Sequence, residues 1–103
     1  MGELSYDPEY SDVLNDAYGS TVISVGTVAV EARVGAQTMA KRETLLIANK
    51  GPDVIYFGPP GVTPSSGMPL PCGKAVKLNF GDCNPVFLIT ATGTSNVIVQ
   101  EVA

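Results

Sequence analysis

The stretch TLLIANKGPDVIYFG, residues 44–58, decides how the chain is read. From Thr44 to Asn49, apolar residues occupy both alternating sets of positions. An extended segment of that kind has two covered faces and belongs inside a sheet. Lys50-Gly51-Pro52-Asp53 then reads as a turn, because glycine accepts backbone angles closed to other residues and proline fixes the angle that follows. Val54 to Gly58 returns as the partner strand. The local prediction is a β-hairpin, and period-two patterning continues from it in both directions.

Upstream, TVISV (21–25) and TVAVEAR (27–33) alternate, with Val28, Val30 and Ala32 on one face, and AQTMAKRE reads as a loop. Downstream, KAVKLNF (74–80) alternates, with Val76, Leu78 and Phe80 inward and Lys77 and Asn79 outward. Gly81 to Pro85 turns the chain, and VFLITAT (86–92) is again apolar on both faces. Gly93-Thr94 turns it once more, and NVIVQEV (96–102) closes it. About seven strands, with turn signals roughly every eight to twelve residues, predict an all-β domain over residues 20–103. Its expected form is an antiparallel β-sandwich, jelly-roll-like or Ig-like. Leu45, Ile47, Val76, Leu78, Leu88 and Val99 are its expected core.

Residues 1–19 form a separate arm in this reading. They carry Glu3, Asp7, Glu9, Asp12 and Asp16 and no base, while the rest of the chain has six bases against five acids. Asp7-Pro8-Glu9 resembles a helix start, with a cap, a first-turn proline and an acid near the helix dipole. Tyr10, Val13, Leu14 and Ala17 then recur at helical spacing, and Gly19 is the expected stop. A helix that short is marginal alone and needs a surface for its apolar stripe. Two readings stay open: a short amphipathic helix, or an extended arm that orders on a partner.

Composition removes several kinds of chemistry. The chain has 103 residues, enough for one domain, and a net charge of −4 with no histidine. The commonest general base and metal ligand is therefore missing, and two cysteines alone cannot complete a zinc site. The acidic balance argues against nucleic-acid binding, which needs a basic face. No apolar run is long enough to span a membrane. The N-terminal stretch matches neither a secretory nor a transit signal. Ser65-Ser66 has no histidine to activate it, and Lys74 opens a strand without a paired nucleophile. The acids of the arm do not follow the spacing of a calcium loop. GPPGVTPSSG lacks the Lys-Ser/Thr ending of a phosphate loop. The expectation is no enzyme, no catalytic residue, no metal and no cofactor.

Cys72 and Cys83 flank the strand predicted over 74–80. Seven extended residues separate their neighbourhoods by roughly 20–25 Å, whereas a disulfide needs Cα atoms within about 7 Å. The two are not expected to pair within one chain. Both lie in turns, so free thiols or intermolecular disulfides remain open.

Residues 49–73 contain five glycines and six prolines and almost nothing reactive. Together with their flanks they resemble a type of small tailed-phage virion protein. The matching residues are Asn49 and Gly51, then Val54, Tyr56, Phe57 and Gly58, then Val62, Thr63 and Gly67, then Pro69, Leu70 and Gly73. The match closes with Gly93-Thr94, Val97, Val99 and Glu101, and spans residues 43–103. Cys72 within the Pro-x-Gly turn, Phe57 in place of an aliphatic, and the acidic arm depart from the pattern. The resemblance implies a phage structural protein of the virion, assembled in the host cytoplasm. Its first expectation is a capsid decoration (cement) protein that binds the major capsid protein across capsomers. A homo-oligomer is implied, with a trimer favoured. Alternatives are a head–tail neck, collar or fibre component, or a carbohydrate-binding surface module that uses Tyr56, Phe57, Phe80 or Phe87. Tyr10, Val13, Leu14, Pro59, Pro60, Val62 and Pro64 are the expected partner contacts. A plain crossover loop is the competing reading for residues 59–64.

Overall fold

The computed structural model of the chain describes residues 18–103. Its strands are β1 (Tyr18–Val25), β2 (Val30–Glu31), β3 (Thr44–Pro52), β4 (Ile55–Gly58), β5 (Met68–Leu70), β6 (Ala75–Leu78), β7 (Phe87–Thr90) and β8 (Ser95–Val102). They form two four-stranded sheets, ordered β1-β8-β3-β6 and β2-β7-β4-β5. Every neighbouring pair is antiparallel. The pairs β1–β8, β2–β7, β3–β6 and β4–β5 are all hydrogen-bonded, so strand numbers match first to last and inward. This is a long two-stranded ribbon rolled up on itself, with β8 joined to β3 and β7 to β4 by the rolling. Eight strands in that order make a jelly roll. The antiparallel sandwich read from the sequence is therefore present, and of the two sandwich types left open the strand order selects this one.

The expected hairpin at residues 44–58 is not formed. β3 and β4 lie in different sheets, and Asp53-Val54 carries the chain from one to the other. The expected turn is corrected as well: Lys50, Gly51 and Pro52 continue β3, with Gly51 opposite Asn96 and Pro52 opposite Ser95. Asn49, 2% exposed, explains the switch. Its Nδ2 donates to the carbonyls of Asp53 and Leu70, each at 2.8 Å, and its Oδ1 accepts from Gly51 N at 2.8 Å. The side chain thereby satisfies backbone groups that ladder bonds would otherwise have taken. Gly51 has φ 91° and follows a register shift between Asn49 and Gly51. The Gly51–Pro52 peptide bond is cis.

Apolar residues from both sheets meet in the middle. Leu45, Ile47, Ile55, Leu88, Val97 and Val99 are all fully buried. Each contributes about 1.5–3 kcal/mol relative to an exposed position. Of the core expected from sequence, Leu45, Ile47, Leu88 and Val99 are buried, whereas Val76 and Leu78 are half-buried and pack on the core from the edge strand β6. Both strands read as apolar on two faces lie inside their sheets, β3 between β8 and β6 and β7 between β2 and β4.

Three expectations are corrected by edge effects. TVAVEAR supplies only the two-residue β2, and Val28 is 78% exposed before it. Phe80 lies beyond the end of β6 and is 43% exposed. Met68–Leu70 forms a strand that Pro69 concealed, because proline is tolerated only at a sheet edge, and β5 is an edge. Gly19, the expected helix stop, sits inside β1 opposite Glu101. The arm contacts Tyr10, Val13 and Leu14 lie outside the described residues.

Candidate functional site

The inward positions of β8 are Ser95, Val97, Val99 and Glu101, so a polar residue stands at each end of an apolar pair. Glu101 is fully buried and accepts three hydrogen bonds: Val34 N at 2.9 Å, Met39 N at 3.2 Å and Arg42 Nη1 at 3.0 Å. Arg42, 2% exposed, donates its other N–H groups to Phe80 O at 3.1 Å, Gly81 O at 2.9 Å and Asn84 O at 3.0 Å. One buried ion pair thus ties the β2–β3 crossover, the β6–β7 loop and β8 together. Lys41 N donates to Asp82 Oδ2 at 2.8 Å and adds a second link to the same loop. The loop's position is fixed from beneath by Arg42.

The β4–β5 loop is fixed from within. Pro59-Pro60-Gly61-Val62 closes with Val62 N donating to Pro59 O at 3.0 Å, and Gly61 has φ 88°. Proline second and a positive-φ glycine third is the pattern of a type II turn. Val62 is 5% exposed and inserts between Gly58 and Gly67. Thr63 and Ser66 close the next turn through reciprocal bonds, Thr63 N to Ser66 Oγ at 3.0 Å and Ser66 N to Thr63 Oγ1 at 3.2 Å.

Between these two loops runs an apolar groove of about 460 Å³. Phe57 and Met68 line it from β4 and β5, Pro59 and Pro60 from the β4–β5 loop, and Phe80 and Pro85 from the β6–β7 loop. Met68 at 64% and Phe80 at 43% exposure join the prolines in one contiguous apolar patch, the kind of surface that marks an interaction site. The lining contains no ionisable side chain. Such a surface can bind by burying area and by shape.

The structure gathers the sequence-predicted contacts only in part. Pro59 and Pro60 are exposed and line the groove, and Pro64 is half-buried outside it. Val62 is a correction: it anchors the loop from inside and is not available to a partner. Met68 and Pro85 are not among the contacts read from sequence, and Phe57 and Phe80 enter there only as aromatics of the carbohydrate-binding alternative. Phe80 was placed in the core by alternation that in fact stops at Leu78. Arg42 was missed inside a loop that looked polar throughout. Glu101 was detectable, since it continues the inward series of Val97 and Val99.

Cys72 and Cys83 are both free and exposed. Cys72 is second in the Pro71–Lys74 turn, where Lys74 N donates to Pro71 O at 3.1 Å, and its Sγ lies 3.6 Å from Lys50 O. Cys83 is in the Gly81–Asn84 turn held by Arg42. The thiols therefore flank β6, one by the Asn49 corner and one by the groove. Among the described residues no cluster of three His, Cys, Asp or Glu side chains could hold a metal ion, and no helix is long and apolar enough to cross a membrane. No protein-family model matches the chain, and no curated protein sequence matches it.

Proposed function

We propose that the chain is a structural protein of a tailed-phage virion, a capsid decoration protein that seats its groove end on the major capsid protein. The observation that carries this is the exposed groove of Phe57, Met68, Phe80 and prolines, with both flanking loops locked by internal bonds. A surface already rigid before contact loses little conformational freedom on binding. The residues 43–103 that resemble phage virion proteins include the groove's lining from β4, β5 and the β4–β5 loop. The jelly roll is used by viral capsid domains, and by lectins, so the fold supports the reading only by analogy. Area burial would be the mechanism, repeated by symmetry over many equivalent shell sites.

Copy number in purified particles tests it. A decoration protein should be present at on the order of hundreds of copies per particle. On the order of tens or fewer would move the chain to the neck, collar or fibre, and absence from the particle would remove the virion role. Met68→Asp should reduce occupancy on the shell without unfolding the domain, because Met68 is 64% exposed.

A further inference from the structure

The four sheet edges differ. β2 has two residues, β5 has three with Pro69 at its centre, and β6 has four with Lys77 among them. Shortness, proline and lysine are the usual means by which an edge is kept from pairing with another chain. β1 has none of these. It runs for eight residues, Tyr18–Val25, with no charge and no proline. β8 pairs with it along its whole length, and no other described strand pairs with its free side. Its outward face presents Tyr18 at 68% and Val22 at 62% exposure. Val22 also begins an apolar row that continues through Ile98, Ala48 and Ala75 across the sheet.

We propose that the free edge of β1 pairs with β1 of a second copy, antiparallel about a two-fold axis at Val22, to give one eight-stranded sheet. Residues opposite one another in such a pair must point to the same face, so the axis passes through a residue position rather than between two. Centring it on Val22 sets Val22 against its own copy, Ser20 against Ser24, Thr21 against Ile23 and Gly19 against Val25. The exposed valines then cover each other and serines flank them. Centring it on Thr21 would set Val22 against Ser20 and leave its apolar surface unmatched. An uncharged strand brings no like charges together on self-pairing, and a two-fold contact needs only one self-complementary patch.

The inference does not depend on the virion reading. It gives dimers where the phage resemblance implies trimers. The full chain, at about 100 µM, should sediment with the mass of a dimer. Val22→Lys puts two ammonium groups face to face at the axis and should give a monomer with unchanged circular dichroism. Val28→Lys, exposed but outside β1, should remain a dimer. In a Cys72→Ser/Cys83→Ser background, Val22→Cys should crosslink to a covalent dimer on mild oxidation. A monomer or trimer for the full chain, a dimer indifferent to Val22→Lys, or no crosslink from Val22→Cys would each overturn the pairing. Particle copy number is read on virions and this mass on the isolated chain, so either result can fail without the other.

Discussion

Glu101 is where the chain concentrates most polar risk in one side chain. Its carboxylate is buried and its stability rests on three donors, one of them the equally buried Arg42. Removing one partner of such a pair leaves the other charged and unsatisfied in the interior, which costs about 3–5 kcal/mol. Glu101→Ala should therefore lower unfolding free energy by about that amount, measured by chemical denaturation. Arg42→Met with Glu101→Leu should be milder than either single change, because no unpaired charge remains. A Glu101→Ala loss below about 1 kcal/mol would show that water replaces the missing acceptor and that the clip is dispensable. Asn49 does the same work without charge at the opposite end of the sandwich, where it caps the corner between sheets.

Among elements, the β4–β5 loop shows how glycine and proline divide labour. Gly67 admits no side chain: a Cβ there would lie 2.8 Å from Tyr56 Cβ and 2.9 Å from Val62 Cγ2. Gly67→Ala should cost about 1–3 kcal/mol through overpacking and should loosen Val62. Thermal denaturation checks this, and an unchanged midpoint would mean that the loop shifts freely. The same loop shows what sequence does and does not reveal. Residues 59–64 read as partner contacts or a plain crossover loop, yet they join β4 to its neighbour β5 within one sheet, through a type II turn at Pro59–Val62. Alternation, two-sided apolar runs and the turn residues between them located seven of the eight strands. They could not tell that Lys50–Pro52 continues β3 and that the chain leaves for the other sheet at Asp53. Turn chemistry fixes a reversal of direction, while the choice of partner depends on contacts distant in sequence, here Asn49 with Leu70. The groove was hidden for a similar reason. Phe57 and Met68 face each other across the β4–β5 pair, but Phe80 reaches them from beyond the end of β6, more than twenty residues after Phe57.

At the scale of the molecule, the described domain carries its own apolar centre, built from residues between Val25 and Val99. Deleting residues 1–17 should leave a soluble, strand-rich domain with a thermal midpoint shifted by less than about 5 °C and, on the decoration reading proposed above, weaker attachment to the shell. Circular dichroism of the truncated chain decides the first part. A collapsed or unfolded product would mean that the arm belongs to the core. The cut falls before Tyr18 and not after Gly19, because both residues are already in β1.

The first-to-last pairing of the strands also sets how the molecule answers to force. Tyr18 lies opposite Val102, so the two ends of the domain sit side by side on adjacent strands. Tension applied between them would part β1 from β8 one rung at a time, like a zip, with each hydrogen bond loaded in turn. Tension applied along the strands, between opposite ends of β1 and β8, would load many rungs at once and meet far more resistance. Glu101, next to that outer rung, anchors the loops of the groove. A pull on the ends would therefore reach the buried clip early, and the groove would lose its shape before the apolar centre opened.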